Sequence, residues 1–195
     1  MSRAEIVAGG DGRPRCGWVG TDPEYTRYHD EEWGTPLRGD RALFEKISLE
    51  GFQAGLSWIT ILRRRPGFRE AFDGFDIDTV AAYDEADVER LLADERIIRN
   101  RAKVLATIGN ARVVQQLTAA RPGALDELIW GFAPERPRPR PHAWADIPAV
   151  TPESEALSAA LRKLGFRFVG PTTMYALMQS AGLVDDHLAG CWRAG

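Results

Sequence analysis

Apolar residues along this chain recur at helical rather than alternating intervals. Between Asp40 and Ala54 the positions Leu43, Phe44, Ile47 and Ala54 make one stripe. Val88, Leu91 and Leu92 share a side over Asp84 to Leu92, and Val104, Ile108 and Ala111 do so over Arg101 to Leu117. Pro66 is read as an interruption, followed by a short helix GFREAF. Asp78 is read as the N-cap of the helix that begins TVAAY, and Leu125 to Phe132 as a further short helix. Pro152 after Thr151 opens a helix through Leu164, and Pro171 opens the last one, Thr172 to Ala181. No run of alternating β-branched residues predicts a sheet, so the expected fold class is all-α.

Punctuation divides the chain. Gly9, Gly10, Gly12 and Pro14 make residues 1–15 read as a flexible N-terminal tail, leaving 16–195 as a single domain. Within it, a helical hairpin spans about 84–117 and a proline-rich linker spans 133–150. At 195 residues, 44% hydrophobic and 27% charged, the composition is that of an ordinary globular protein. No apolar run approaches the length of a membrane span, and the N-terminus lacks the apolar segment of a signal peptide. The expectation is a soluble, cytoplasmic protein with no membrane partner.

A net charge of −3 argues against blanket adhesion to nucleic acid, so local clusters matter more. Three basic clusters stand out: Arg63 to Arg65, RIIRNRAK at 96–103 and PERPRPRP at 134–141. Arg99, Arg101 and Lys103 fall at the turn of the predicted hairpin. There a helix N-terminus and its backbone N–H groups can hold a DNA phosphate.

Two features carry candidate chemistry. The chain has two cysteines and three histidines, and four of these pair up as Cys16-x12-His29 and His187-x3-Cys191. If the last segment is helical, His187 and Cys191 share a face. Two cysteines and two histidines are the donor set of a closed structural zinc site, here joining the two ends of the chain. The alternative is a capped last helix with a buried thiol and a surface histidine. His142, in the linker, is expected to be exposed. The second feature is Glu50, on the apolar stripe after Leu43 and Ile47. A buried carboxylate needs a partner. It is either satisfied by one of the arginines or by backbone hydrogen bonds, or held in an aromatic pocket for a cationic or hydrogen-bonding ligand. Trp58 follows about two turns later, and Tyr25, Tyr28 and Trp33 surround His29. Stacking and a charge-assisted hydrogen bond would suit a flat, electron-poor ring. The bland reading makes these aromatics simply core.

The segments CGWVGTDPEYTRYHDEEWG, LEGFQAGLSWITIL, IIRNRAKVLATIGNAR and GFRFVGPTTMYALMQSAGLVDDHLAGC, in that order, resemble the 3-methyladenine DNA glycosylase I family of the helix-hairpin-helix superfamily. The resemblance runs from Cys16 to Cys191. It implies a two-lobed helix-hairpin-helix fold, with structural zinc on Cys16, His29, His187 and Cys191 as a clasp between the N- and C-terminal segments. It implies a monomer that flips N3-methyladenine out of alkylated double-stranded DNA, in bacteria at the nucleoid, and hydrolyses its N-glycosidic bond to leave an abasic site. By motif position Glu50 is the essential carboxylate, Tyr28 a base contact and Trp58 the stacking platform, with Tyr25 and Trp33 beside them. Gly55 and Leu56 lie where the protein wedges into the duplex. No water-activating base is assigned. Lys46 and Lys163 read as peripheral, so no lysine is placed to act as a nucleophile. The chain departs from the pattern at Arg96 and Ala102, where members often carry glycine, which raises a question about backbone geometry at the hairpin. Two rivals are a hydrolase with catalytic zinc and a non-catalytic helical DNA-binding module. The first conflicts with four protein ligands, and the second needs no cavity beside Trp58.

Overall fold

The computed structural model describes residues 5–194. Nine α-helices are assigned among them: α1 (Pro23–Glu31), α2 (Asp40–Gln53), α3 (Trp58–Ala71), α4 (Ile77–Ala81), α5 (Glu85–Ala93), α6 (Arg101–Ala120), α7 (Ala124–Trp130), α8 (Pro152–Lys163) and α9 (Pro171–Ser180). Their starts follow local chemistry. Asp22 accepts from the Glu24 and Tyr25 amides ahead of Pro23, Asp84 and Asp87 form a capping box, and Thr151 with Ser154 forms another ahead of Pro152.

The centre of the fold is α2. Residues Leu43, Phe44 and the whole run from Lys46 to Phe52 are buried, because α3, α6, α7 and α9 all pack against it. Along this helix only Arg41, in its first turn, is exposed. The main apolar core forms around it, and α5 packs on α6 through the loop 94–100. A smaller cluster gathers Cys16, Tyr28, Trp33, Leu62, Leu188 and Cys191 where the chain ends meet.

Five sequence expectations are corrected. The fold is mostly helical rather than all-α, because Ile6–Ala8 (β1) pairs antiparallel with Pro14–Cys16 (β2). The flexible tail is accordingly corrected from residue 6 onward, and residues 1–4 lie outside the described residues. The glycines form the turn, and buried Arg15 anchors the hairpin by ion pairs to Asp11 and Asp30, each at 2.7 Å. Pro66 does not end a helix: α3 runs through it, held by buried Leu62 and Phe68 on either side. The N-cap of α4 is Asp76, whose carboxylate accepts from the Thr79 amide at 3.0 Å, and not Asp78. Finally, residues 185–191 are not helical, so His187 and Cys191 converge through a loop and not along a helix face. Arg96 and Ala102 both have ordinary negative φ, so the backbone there makes no demand for glycine.

Candidate active site

An open cavity of about 480 Å³ lies between α1, α2, α3 and α9. Glu50, Tyr28, Trp58, Tyr25 and Trp33 all line it, so the structure brings together every pocket residue named from the sequence. Tyr28 and Trp33 belong to the smaller apolar cluster, with Tyr25 and Trp58 packed against it, and all four also face the cavity.

Glu50 is buried, and its Oε1 accepts a hydrogen bond from Ser180 Oγ at 2.8 Å. Burial raises its pKa above the ordinary carboxylate value, opposed by the Lys46 charge and the Ser180 hydroxyl. The arginine alternative fails: Arg63 pairs with Asp22, Arg65 with Glu32, and Arg64 donates to the Glu95 carbonyl. Tyr28 is buried beneath Trp58, with ring centroids 5.6 Å apart. The hydroxyl of Tyr25 accepts from the Ile59 amide at 3.0 Å, fixing the first turn of α3 and with it Trp58. The indole Nε1 of Trp58 is buried without a hydrogen-bond partner.

Sequence reasoning missed several members. Trp18 lines the same cavity, edge-on to Tyr25 at 5.3 Å and to Trp33 at 5.3 Å. Its place two residues after Cys16 was the available signal. Ser180, Gln179 and Trp144 arrive from distant elements, and no local pattern marks them. Lys46 is a correction: it is not peripheral but buried, its Nζ donating to Tyr28 Oη at 3.2 Å.

Beside this cavity sits the cysteine–histidine group. The donor atoms of Cys16, His29 and Cys191 all lie within 4.8 Å of one another, and all three residues are buried. His187 stands against them, its ring centroid 5.0 Å from that of His29. Each imidazole gives its Nδ1 to a carboxylate, His29 to Asp30 at 2.8 Å and His187 to Asp185 at 2.7 Å. That leaves both Nε2 atoms with their lone pairs directed inward, and Nε2 of His187 is buried with no partner. A hydrogen bond from the Cys16 thiol is the largest cause holding Cys191 below the ordinary thiol range. Cys16, His29 and Cys191 are a group that could hold a metal ion, with the orphaned Nε2 of His187 beside them. Trp33 joins the two regions, 4.6 Å from the His187 ring while also lining the cavity.

The residues expected at the duplex are spread over two elements. Gly55, with φ +83°, and exposed Leu56 form the turn between α2 and α3. Arg99 is half-exposed, with Glu95 as its ion-pair partner at 3.7 Å. Arg101 is half-exposed and paired with Glu85 and Glu89. Lys103 points the other way: its buried ammonium donates to the carbonyls of Phe52 at 2.8 Å and Ala54 at 2.7 Å. It therefore caps the C-terminus of α2 and props the Gly55–Leu56 turn, instead of facing solvent.

A scaffold of this kind, opening an aromatic cavity with one buried carboxylate, fits an enzyme that takes a single flat base out of DNA. Comparison with known proteins narrows the class. Residues 18–194 match the methyladenine glycosylase family. Over 178 residues the chain is 49% identical to DNA-3-methyladenine glycosylase 1 of Escherichia coli (strain K12), covering 91% of this chain and 95% of that one. The crystal structure of a 3-methyladenine DNA glycosylase I superposes with a TM-score of 0.89 at 46% identity, over 93% of this chain and all of that one. A variant 3-methyladenine DNA glycosylase I in complex with 3-methyladenine gives 0.85 at 33% identity, over 91% and 96% of the two chains. The chain belongs to the methyladenine glycosylase family, whose members are DNA-repair hydrolases of N-glycosyl bonds.

Proposed function

We propose that this chain excises N3-methyladenine from alkylated double-stranded DNA, releasing the free base and leaving an abasic site. The observation that carries the reading is Glu50: a buried carboxylate without an arginine partner, on the wall of an aromatic cavity. Methylation at N3 makes the adenine cationic. It binds by stacking on Trp58, with Tyr28, Tyr25 and Trp33 around it, and by a charge-assisted hydrogen bond to Glu50. Neutral adenine lacks that charge and gains less. A damaged base also stacks and pairs less well, which lowers the cost of flipping.

The bond then breaks with little acid assistance. The glycosidic electron pair leaves with the base, which departs neutral without prior protonation, and water adds at the sugar carbon and gives up a proton. The Glu50 charge stabilises the positive charge as it passes from the base to the sugar. Water is the nucleophile and the strand is left uncut, the Lys46 ammonium beside the pocket being turned to Tyr28 Oη.

Duplex DNA is held by the hairpin between α5 and α6, acting as a helix-hairpin-helix element with Arg99 and Arg101 on the phosphates. Gly55 and Leu56 enter the gap left by the flipped nucleotide. Cys16, His29, His187 and Cys191 hold a zinc ion that cross-links the chain ends and takes no part in the reaction. The protein works as a monomer on the nucleoid in the bacterial cytoplasm. Incubation with methylated duplex DNA, followed by identification of the released bases, tests the reading. Release of N3-methyladenine is expected, and its absence from an active, folded sample overturns it.

A further inference from the structure

Behind the Tyr28 and Trp58 rings of the aromatic cavity stands a cation that the reaction above does not use. Lys46 stands one helical turn before Glu50 on α2, only 7% exposed. Its Nζ is 5.0 Å from the Tyr28 ring centroid and 5.1 Å from that of Trp58, and it donates to Tyr28 Oη at 3.2 Å. These are the partners a cationic base would use: two aromatic faces and a hydroxyl beside Glu50. Behind it lies a second, smaller cavity of about 220 Å³, lined by Lys46 and Ser180 together with Glu32, Glu45 and Arg65. The lysine therefore stands at the partition between an aromatic front pocket and a charged rear one.

We propose that Lys46 is a specificity-determining residue of the base pocket, an internal cation that opposes entry of a cationic base and narrows the preference for cationic over neutral bases of the same shape. This rests on the base-pocket reading above. With Glu50 ionised and Lys46 protonated, the pair is close to neutral, and an incoming cation meets a weakened attraction. Without the lysine charge, the full carboxylate faces the base. The effect is large because both groups are buried, where charges a few ångströms apart interact far more strongly than in water. Tyr28 and Glu32 face Lys46 from α1 and its C-terminal end, Arg65 from α3, and Glu45 and Glu50 from its own helix. Burial pushes its ammonium pKa below the ordinary value of 10.5.

The test uses two probes of one shape, permanently cationic 3,9-dimethyladeninium and its neutral 3-deaza counterpart, with affinities read from quenching of tryptophan fluorescence. In Lys46→Met the cationic-to-neutral affinity ratio should rise about tenfold or more, about 1.4 kcal/mol or more by the standard conversion, chiefly through tighter binding of the cation. Lys46→Arg, which keeps the charge, should retain the wild-type ratio. A second arm needs no variant: in the wild-type protein the ratio should climb with rising pH as Lys46 loses its proton, at a pH that burial brings below 10.5. Over that span Arg65 stays charged, Glu32 stays ionised, and Tyr28 keeps its proton because its pKa is raised. An unchanged ratio in folded Lys46→Met, or a flat wild-type ratio over that pH span, overturns the role of Lys46 alone. A wild-type protein that binds neither probe overturns the base-pocket reading beneath it.

Discussion

Ser180 Oγ donates a 2.8 Å hydrogen bond to Glu50 Oε1, joining the last residue of α9 to the last turn of α2. The two are 130 positions apart in sequence, and both are buried. The carboxylate is thus oriented by a neutral hydroxyl, and the charge that opposes its own is that of Lys46 on the same helix.

Removing that hydroxyl should move the pH dependence of excision. The Ser180 hydrogen bond lowers the Glu50 pKa against the upward push of burial. In Ser180→Ala the carboxyl therefore holds its proton to higher pH, and the acid limb of the excision profile should shift upward. The lost hydrogen bond costs roughly 1 kcal/mol of stability. A pH–rate profile identical to the parent's would show that Glu50 ionisation does not govern excision.

Glu50→Gln keeps the shape and removes the charge. Excision should fall by about ten- to a hundred-fold or more, the value of a hydrogen bond to a charged group. Stability should respond in the opposite sense. A carboxyl whose folded pKa is raised loses stability as pH rises from its ordinary value of 4.5 through the folded one. Gln carries no such loss, so the melting temperatures of variant and parent should coincide at acid pH, and the variant should melt higher near neutrality. Paired melts across pH, with base release from methylated DNA on the same samples, decide it. A variant that unfolds, or one that excises like the parent, assigns Glu50 to the core.

The clasp should bind one zinc per chain, measurable by elemental analysis. Cys191→Ser, or extraction by a strong chelator, should lower the melting temperature more than it alters base preference. Metal binding contributes ~10–16 kcal/mol in finger peptides that fold around it, and less of it is needed here, where a large core already exists. Cysteines that titrate as free thiols in a metal-free, equally stable protein would count decisively against this.

Two basic residues of the hairpin should behave differently. Arg99→Ala should weaken binding to damaged and undamaged duplexes alike, and flatten the slope of log affinity against log salt by about one unit. Lys103→Met should leave that slope unchanged. It should instead destabilise the fold by roughly 1.5–3 kcal/mol, through lost bonds from a charged group to the Phe52 and Ala54 carbonyls. Salt titrations of both variants, with melts, separate the roles, and a flattened slope for Lys103→Met would place it on the phosphates.

What the sequence by itself determined is local. Apolar spacing, Asp84, Thr151 and the prolines at 152 and 171 set most helices, because helix faces and caps are written within a few residues of each other. Glu50 on an apolar stripe and the paired cysteines and histidines were legible for the same reason: each was an anomaly against its own neighbours. Tertiary structure decided the rest. Lys46 reads as peripheral by residue type, yet it is buried because helices pack on every side of α2. Lys103 reads as part of a basic cluster, yet its ammonium turns inward because the end of α2 leaves carbonyls there that need donors. The strands Ile6–Ala8 and Pro14–Cys16 are too short to show alternation, and Arg15 finds Asp30 only after α1 has formed. His187 meets Cys191, Cys16 and His29 through a loop whose path depends on contacts between the two ends of the chain, such as the Leu188 amide on Cys16 Sγ at 3.4 Å. Local pattern chooses which side chains share a face. Which charged groups end up inside is chosen by what packs against the remaining faces.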